Sequence, residues 1–87
     1  MFVIKELNLN NFITNNVTNM SYMFERASSL KVLNLNNFIT NNVTDMSCMF
    51  GKCSDEIKLK IKSKFNKFTE EAFEDEIDYE YYGDDKN

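Results

Sequence analysis

The apolar residues of the first 55 positions follow two alternating patterns. Leu30, Leu33 and Leu35 form an L-x-x-L-x-L pattern, whose last two leucines alternate as in a short β-strand with one buried face. From Val17 onwards the apolar side chains instead come at steps of three and four, which is the spacing of a short helical or 3₁₀ segment. The chain is therefore predicted to alternate short strands and short helices, joined by asparagine-rich turns.

Both patterns recur with a period of 26 residues. Residues 7–24 (LNLNNFITNNVTNMSYMF) align with residues 33–50 (LNLNNFITNNVTDMSCMF), and 16 of the 18 aligned positions are identical. A fixed period of about 20 to 50 residues is typical of solenoids, in which each unit buries its apolar side against its neighbours. The predicted fold is an α/β repeat solenoid, right-handed and leucine-rich-repeat-like, with two coils that each combine a short strand with a short helix.

The predicted solenoid occupies residues 1–55, with repeat units at 7–32 and 33–55. In the 26-residue register Met1 corresponds to Ala27, so the chain opens inside a unit. Repeat proteins generally need three or more units and polar terminal caps. The sequence therefore indicates the C-terminal fragment of a longer array, whose uncapped first coil is expected to meet water or another chain.

The composition changes after Cys53. Ser54 or Asp55 is suited to cap a helix, and apolar residues recur behind it at three or four positions, which predicts a C-terminal capping helix over residues 56–77. Residues 78–87 are predicted to be an acidic, disordered tail, because they carry too little apolar surface to offset the entropy of ordering.

Asparagines occupy equivalent turn positions in the two units. Asn8 and Asn10 precede Asn34 and Asn36 by one full repeat, and in a solenoid all four are expected to face outward on the strand side. Their amides are expected either to bond across coils and satisfy turn backbone groups, or to form a polar binding strip. The sequence leaves both open, and these four residues are the predicted interaction surface.

The repeat resembles a known family. The stretch LNLNNFITNNVTNMSYMF, with the matching positions Ala27 and Cys53 behind each copy, is similar to the BspA-like leucine-rich repeats of bacterial and protist surface proteins over about residues 4–55. The V-T-x-M-x-x-M-F part separates it from ordinary leucine-rich repeats. Ala27 stands where that family usually has Cys, and Glu56 replaces a closing Leu. The resemblance implies an elongated solenoid used for adhesion or protein contact, without catalytic residues to carry over.

Composition and charge narrow the function further. The chain has 87 residues, no His and a net charge of -4, which excludes His-dependent catalysis and argues against general nucleic-acid binding. It lacks an apolar run of about 18 residues and a signal peptide, so no membrane insertion is expected and the chain as written is predicted to be cytoplasmic. A longer parent of the resembling family would instead be secreted or lie at the cell surface.

Two sets of reactive side chains leave alternatives open. Cys48 and Cys53 are expected to be buried thiols, with a metal site or a disulfide as the alternatives. Tyr79, Tyr81 and Tyr82 lie among acids, as in a modification or docking motif, or simply in a solvated tail. Neither set predicts a cofactor.

The predicted function is a protein-protein interaction or adhesion module, the end piece of a BspA-like leucine-rich-repeat array, without enzymatic activity. Its partner is a protein that the sequence does not identify, or a second copy docked on the uncapped first coil. The competing hypotheses are a truncated structural or vestigial repeat protein without a dedicated partner, and an acidic regulator that acts through residues 78–87.

Overall fold

The two repeats lie side by side and are joined first by a short parallel sheet. The structure, a computed structural model, describes residues 3–77. Strands β1 (Glu6–Leu7) and β2 (Val32–Leu33) pair in parallel, with Glu6 opposite Val32 and Leu7 opposite Leu33. Each pair is separated by 26 residues, so the register of the sheet equals the period of the repeat.

A second set of backbone hydrogen bonds joins the repeats along residues 20–26. Every second N–H group of this stretch donates to a carbonyl of the second repeat at 2.7 to 2.9 Å: Met20 to Asp45, Tyr22 to Ser47, Phe24 to Met49 and Arg26 to Gly51. A helix would use these N–H groups internally, whereas alternate donation to a neighbour is a β-type pattern. Both halves of the first repeat thus form backbone hydrogen bonds with the equivalent half of the second repeat.

Consecutive turns stand where a short helix was predicted in each repeat. Tyr22 and Arg26 have φ angles of 61° and 68°, and their equivalents Cys48 and Lys52 have φ angles of 53° and 62°. A left-handed residue at every fourth position interrupts an α-helix. The steps of three in the apolar pattern come instead from turns closed by hydrogen bonds of Met23 to Met20, Ala27 to Phe24 and Leu30 to Ala27.

The prediction of a leucine-rich-repeat-like solenoid of two coils is wrong. Residues 3–77 form a small globule whose regular elements are one two-stranded parallel sheet, one α-helix and one 3₁₀ turn. No solenoid of coils is present in this part of the chain, because neither repeat holds a helix and each strand is two residues long. The strand-plus-helix unit expected of such a coil is therefore not formed within the described residues.

An aromatic column runs through the core. Phe24 stacks on Phe50 with ring centroids 5.7 Å apart, and Phe50 stacks on Phe73 at 5.3 Å. The Phe50 side chain is fully buried, since it has a ring from the first repeat on one face and a ring from the C-terminal part on the other. Each such pair contributes about 0.5–1.5 kcal/mol beyond the burial of its area.

Helix α1 (Asp55–Lys64) packs on the second repeat. Ser54, one of the two predicted caps, begins the helix by accepting the N–H of Ile57 at 3.2 Å, and Ile57 and Ile61 are buried in the core. The helix ends at Phe65, whose backbone is extended, so it is shorter than the predicted range 56–77. The predicted tail, residues 78–87, lies outside the described residues.

A 3₁₀ turn (Glu70–Phe73) follows and lies against the second repeat. Its Ala72 and Phe73 side chains are buried, whereas the acidic side chains around them are exposed. Residues 69–75, which contain this turn, are called the closing segment below.

Candidate interaction surface

The four asparagines predicted to form the interaction surface are all exposed. Asn8 Oδ1 accepts the backbone N–H of Asn10 at 3.0 Å, and Asn34 Oδ1 accepts that of Asn36 at 2.9 Å. Asn8 and Asn34 therefore stabilise the turns behind the strands, in the way that asparagine commonly closes a turn on its own backbone. The second amide of each pair, Asn10 and Asn36, stays at the surface.

Other asparagine amides connect the repeats. Asn37 Nδ2 donates to the Asn10 carbonyl at 2.9 Å, and Asn42 Nδ2 donates to the Asn15 carbonyl at 2.8 Å. The equivalent amides of the first repeat belong to Asn11 and Asn16, which are exposed and donate to no carbonyl within residues 3–77. The same side chain thus makes an inter-repeat bond in one copy and is available in the other.

The closing segment covers the far side of the second repeat. It accepts four N–H groups there: Cys48 and Phe50 donate to the carbonyls of Glu71 and Ala72 at 2.9 and 2.7 Å, and Met46 and Lys52 donate to the carboxylates of Glu71 and Asp75 at 3.4 and 2.7 Å. These donors are equivalent to the four donors of the first repeat. Two carbonyls and two carboxylates of the closing segment therefore accept the N–H groups that the carbonyls of a third repeat would otherwise accept.

The opposite side of the molecule carries an uncovered row of carbonyls. Asn19, Ser21, Met23 and Glu25 are equivalent to Asp45, Ser47, Met49 and Gly51, whose carbonyls accept the N–H groups of the first repeat. Within residues 3–77 no group donates to the backbone carbonyls of these four residues, which are called the carbonyl row. Acceptors spaced at every second residue are what an added strand would pair with.

Apolar side chains of the first repeat are more exposed than their copies in the second repeat. Phe12 is 52% exposed against 3% for Phe38, and Met23 is 40% exposed against 0% for Met49. Ile13 is 84% exposed against 41% for Ile39. The carbonyl row together with Phe12, Ile13 and Met23 is called the open side.

Glu25 stands at the edge of the open side and has no copy in the second repeat, where Gly51 takes its position. Its Oε2 is shielded from solvent and has no hydrogen-bond partner in the described part of the chain. Burial, and then the neighbouring Glu76 carboxylate, raise the pKa of Glu25. A Cβ at Gly51 would lie 3.0 Å from the Glu74 carbonyl, so the closing segment needs a glycine there.

Two residues that bond to the backbone of the second repeat from outside it were not predicted from the sequence. Thr14 is 3% exposed, and its hydroxyl accepts the Ile39 N–H at 2.8 Å and donates to the Ile39 carbonyl at 3.2 Å. Lys67 Nζ donates to the carbonyls of Leu35 and Phe38 at 2.9 and 2.7 Å, and burial lowers its pKa. A buried Thr within a polar run and a Lys in a basic segment look like ordinary surface residues, so the sequence held no signal for either.

A family model described as "Mycoplasma protein of unknown function, DUF285" matches residues 2–78. The chain belongs to the DUF285 family. The match takes in both repeats, α1 and the closing segment as one unit. No curated protein and no solved structure matched the chain.

The cysteines of this DUF285 chain are free thiols. Cys53 is buried and its Sγ donates to the Phe24 carbonyl at 3.2 Å, and burial raises its pKa. Burial also raises the pKa of Cys48, which lies beside Tyr22. A raised pKa keeps both groups as thiols at neutral pH, which makes them poor nucleophiles.

Three lysines of the DUF285 chain line a groove between β2 and α1. The groove has a volume of about 200 Å³ and an apolar floor, with lysines at its rim: Lys31, Lys60 and Lys64. Glu56 lies 4.0 Å from Lys31 and 3.6 Å from Lys60, so part of this positive charge is neutralised. Within residues 3–77 no helix is long and apolar enough to cross a bilayer.

Proposed function

We propose that this DUF285 protein is a protein-protein interaction or adhesion module without catalytic activity, and that it serves as the end piece of an array of BspA-like leucine-rich repeats. The open side is its contact surface. The BspA-like sequence V-T-x-M-x-x-M-F contributes Met23 and Phe24 to that region in the first repeat.

The observation that carries the proposal is the unequal exposure of identical residues. Phe12 and Phe38 share their sequence surroundings, yet Phe12 is 52% exposed and Phe38 is 3% exposed. An exposed apolar patch beside unpaired backbone acceptors is a common form of protein-binding surface. A partner that covers the open side would bury its apolar side chains and also donate hydrogen bonds to the carbonyl row.

The carboxylates favour this proposal over hydrolytic chemistry. Asp75 forms a salt bridge with Lys58 at 2.9 Å and accepts the Lys52 N–H, so its charge serves the closing segment. Glu70 lies 3.8 Å from Lys62 and is 90% exposed. The ion-paired Asp75 and the solvated Glu70 therefore do not lie in the dry cleft that general acid or base catalysis needs.

The test is site-specific photocrosslinking in the source cell. A photoreactive amino acid replaces Ile13, which is 84% exposed on the open side, and in a matched protein it replaces Leu59, which is 66% exposed on α1. The proposal expects a discrete protein adduct from position 13 that position 59 does not give. Equal adducts from both positions, or none from position 13, would contradict it.

A further inference from the structure

We infer that the open side binds an extended segment that carries the sequence of the repeat itself, supplied by another protein chain. This inference rests on the proposed function and names the partner by its chemistry. The partner presents backbone N–H groups at every second residue and an aromatic ring on one of these donating residues.

The first argument is the spacing of the acceptors. In the second repeat, carbonyls at positions 45, 47, 49 and 51 accept N–H groups from residues 20–26 of the first repeat, at 2.7 to 2.9 Å. The carbonyl row of the first repeat has the same spacing and continues this established interface outward. A segment that pairs with it in parallel therefore needs the donor pattern of residues 20–26.

The second argument is the match of side chains. Phe24 lies 5.7 Å from Phe50 and 6.3 Å from Phe38 between ring centroids. The equivalents of Phe50 and Phe38 in the first repeat are Phe24, which is buried, and Phe12, which lies on the open side. A phenylalanine at the Phe24 position of an incoming repeat would cover Phe12, which is now half exposed.

Polar side chains add to the match. Asn11 and Asn16 are equivalent to the two asparagines that donate to carbonyls of the first repeat. Thr14 bonds both backbone groups of Ile39, and Ile13 is the equivalent of Ile39. An incoming repeat would supply a backbone carbonyl to accept a hydrogen bond from each of these asparagines, and a threonine hydroxyl to bond to the backbone of Ile13. The polar groups of the open side therefore match those of the repeat sequence.

A second copy of this chain is a poorer occupant. Two open sides placed face to face would oppose two carbonyl rows, and neither row supplies a donor. The other donor row, at Met46, Cys48, Phe50 and Lys52, is already paired with the closing segment. The partner is therefore a repeat whose donor row is free.

The test is a titration of the full 87-residue chain into a labelled synthetic peptide with the sequence of residues 7–32, followed by fluorescence anisotropy. We expect saturable binding that Ile13→Asp weakens at least tenfold and Leu59→Asp leaves unchanged. Both replaced residues are largely exposed, so both variants are expected to fold, and thermal unfolding of each is measured as the check.

A matched pair of peptides tests the backbone bonds. N-methylation at the Met20 and Phe24 positions removes two donors that bond only to the neighbouring repeat. N-methylation at the Ser28 position removes an N–H that makes no hydrogen bond within the described residues. The first peptide should bind at least tenfold more weakly than the second.

The outcomes separate this inference from the proposed function. If the peptide fails to bind at millimolar concentration while position 13 still gives a discrete crosslink to another protein, the inference is overturned and the proposed function stands. Self-association of the chain that Ile13→Asp abolishes and the peptide does not compete with would also overturn the inference. Absence of both peptide binding and crosslinks overturns both.

Discussion

The two repeats have nearly the same sequence but different neighbours. They differ in whether another segment covers the side that faces away from the other repeat. The second repeat is covered by the first repeat on one side and by the closing segment on the other, so Phe38 and Met49 are buried. Within residues 3–77 the first repeat is covered on one side, and Phe12 and Met23 are exposed. The burial of a side chain in this protein is thus decided by its neighbour in space.

The closing segment also shows what covering requires. It meets the donor row of the second repeat with two backbone carbonyls, and the Glu71 and Asp75 carboxylates reach the remaining two donors. Charge-assisted hydrogen bonds of this kind are about twice as strong as neutral ones. A short 3₁₀ turn can therefore replace an extended strand, provided that it carries an acidic residue and is followed by another, as with Glu71 and Asp75 here.

The largest expected effect comes from truncating the matched phenylalanines. Phe38→Ala should lower the free energy of unfolding by about 3–5 kcal/mol, because a buried ring leaves a cavity. Phe12→Ala should cost less than about 1.5 kcal/mol, because half of that side chain is already in water. Urea unfolding followed by circular dichroism measures both.

Met49→Ala and Met23→Ala repeat this comparison at a second pair of positions, of which Met49 is fully buried. Equal losses for the two phenylalanines would mean that the first repeat is covered in solution, for example by self-association. Dilution over a hundredfold range distinguishes that case, since only an associated protein loses stability on dilution.

Part of this comparison could be predicted from the sequence. The 26-residue period correctly indicated lateral pairing of equivalent residues, and Ser54 was correctly named among the helix caps. The apolar stripe predicted behind the cap has five members, of which four are buried and the first-named is partly buried: Phe65, Ile57, Ile61, Phe68 and Ala72. Phe68 and Ala72 reach the core from beyond the end of α1. Each of these depends on local chemistry or on a repeated pattern, both of which are visible in one sequence.

The rest depends on contacts that a sequence does not display. Apolar residues at steps of three and four led to the prediction of short helices. This spacing is the same in a series of turns closed by hydrogen bonds between residues i and i+3, so it does not distinguish the two structures. The left-handed residues that decide between them are Tyr22 and Arg26, where glycine would be the expected signal. The four asparagines chosen as the surface are exposed. The uncapped first coil was also expected to meet water or another chain, but the pattern did not identify the carbonyl row, which arises because identical residues are covered unequally.

A second prediction concerns the equivalent positions Glu25 and Gly51, where the side chains of the two repeats differ in size. Gly51→Ala should lower the free energy of unfolding by roughly 1–3 kcal/mol, because the new Cβ would lie 3.0 Å from the Glu74 backbone carbonyl and displace the closing segment. Glu25→Ala at the equivalent position of the first repeat should cause a smaller loss, because the Glu25 carboxylate has no hydrogen-bond partner within the described residues and lies beside the Glu76 carboxylate. Thermal unfolding of both variants measures the difference.

The location of the change can be checked as well. In Gly51→Ala, amide exchange should quicken at Cys48 and Phe50, which donate to the closing segment. Unchanged protection at these two amides would show that the closing segment tolerates the methyl group.

A third prediction tests the carboxylates of the closing segment. The hydrogen bonds from Lys58 and from the Lys52 N–H lower the pKa of Asp75. Asp75→Asn should cost about 1 kcal/mol at pH 7, a modest value because the carboxylate is 46% exposed and solvent screens the pair.

The pH dependence follows from the direction of that shift. A lowered pKa stabilises the folded state fully above the ordinary Asp pKa of about 3.9, and the gain is lost as the pH falls through the folded value. The difference in stability between Asp75→Asn and the natural protein should therefore be constant from pH 5 to 8 and shrink below about pH 4. A difference that vanished near pH 6 would point to another group.

The smallest effect is expected on the open side, at Glu25, and it has the opposite sign. Burial and the Glu76 carboxylate raise the pKa of Glu25, so the folded state disfavours its charge. Glu25→Gln should therefore raise the melting temperature at pH 7, and the gain should fade as the pH drops through the raised pKa toward about 4.3, the ordinary Glu value. Glu6→Gln, on the exposed strand β1, is the control and should change little. A loss of stability in Glu25→Gln at pH 7 would show that this carboxylate has a favourable partner, and that the edge of the open side is already satisfied.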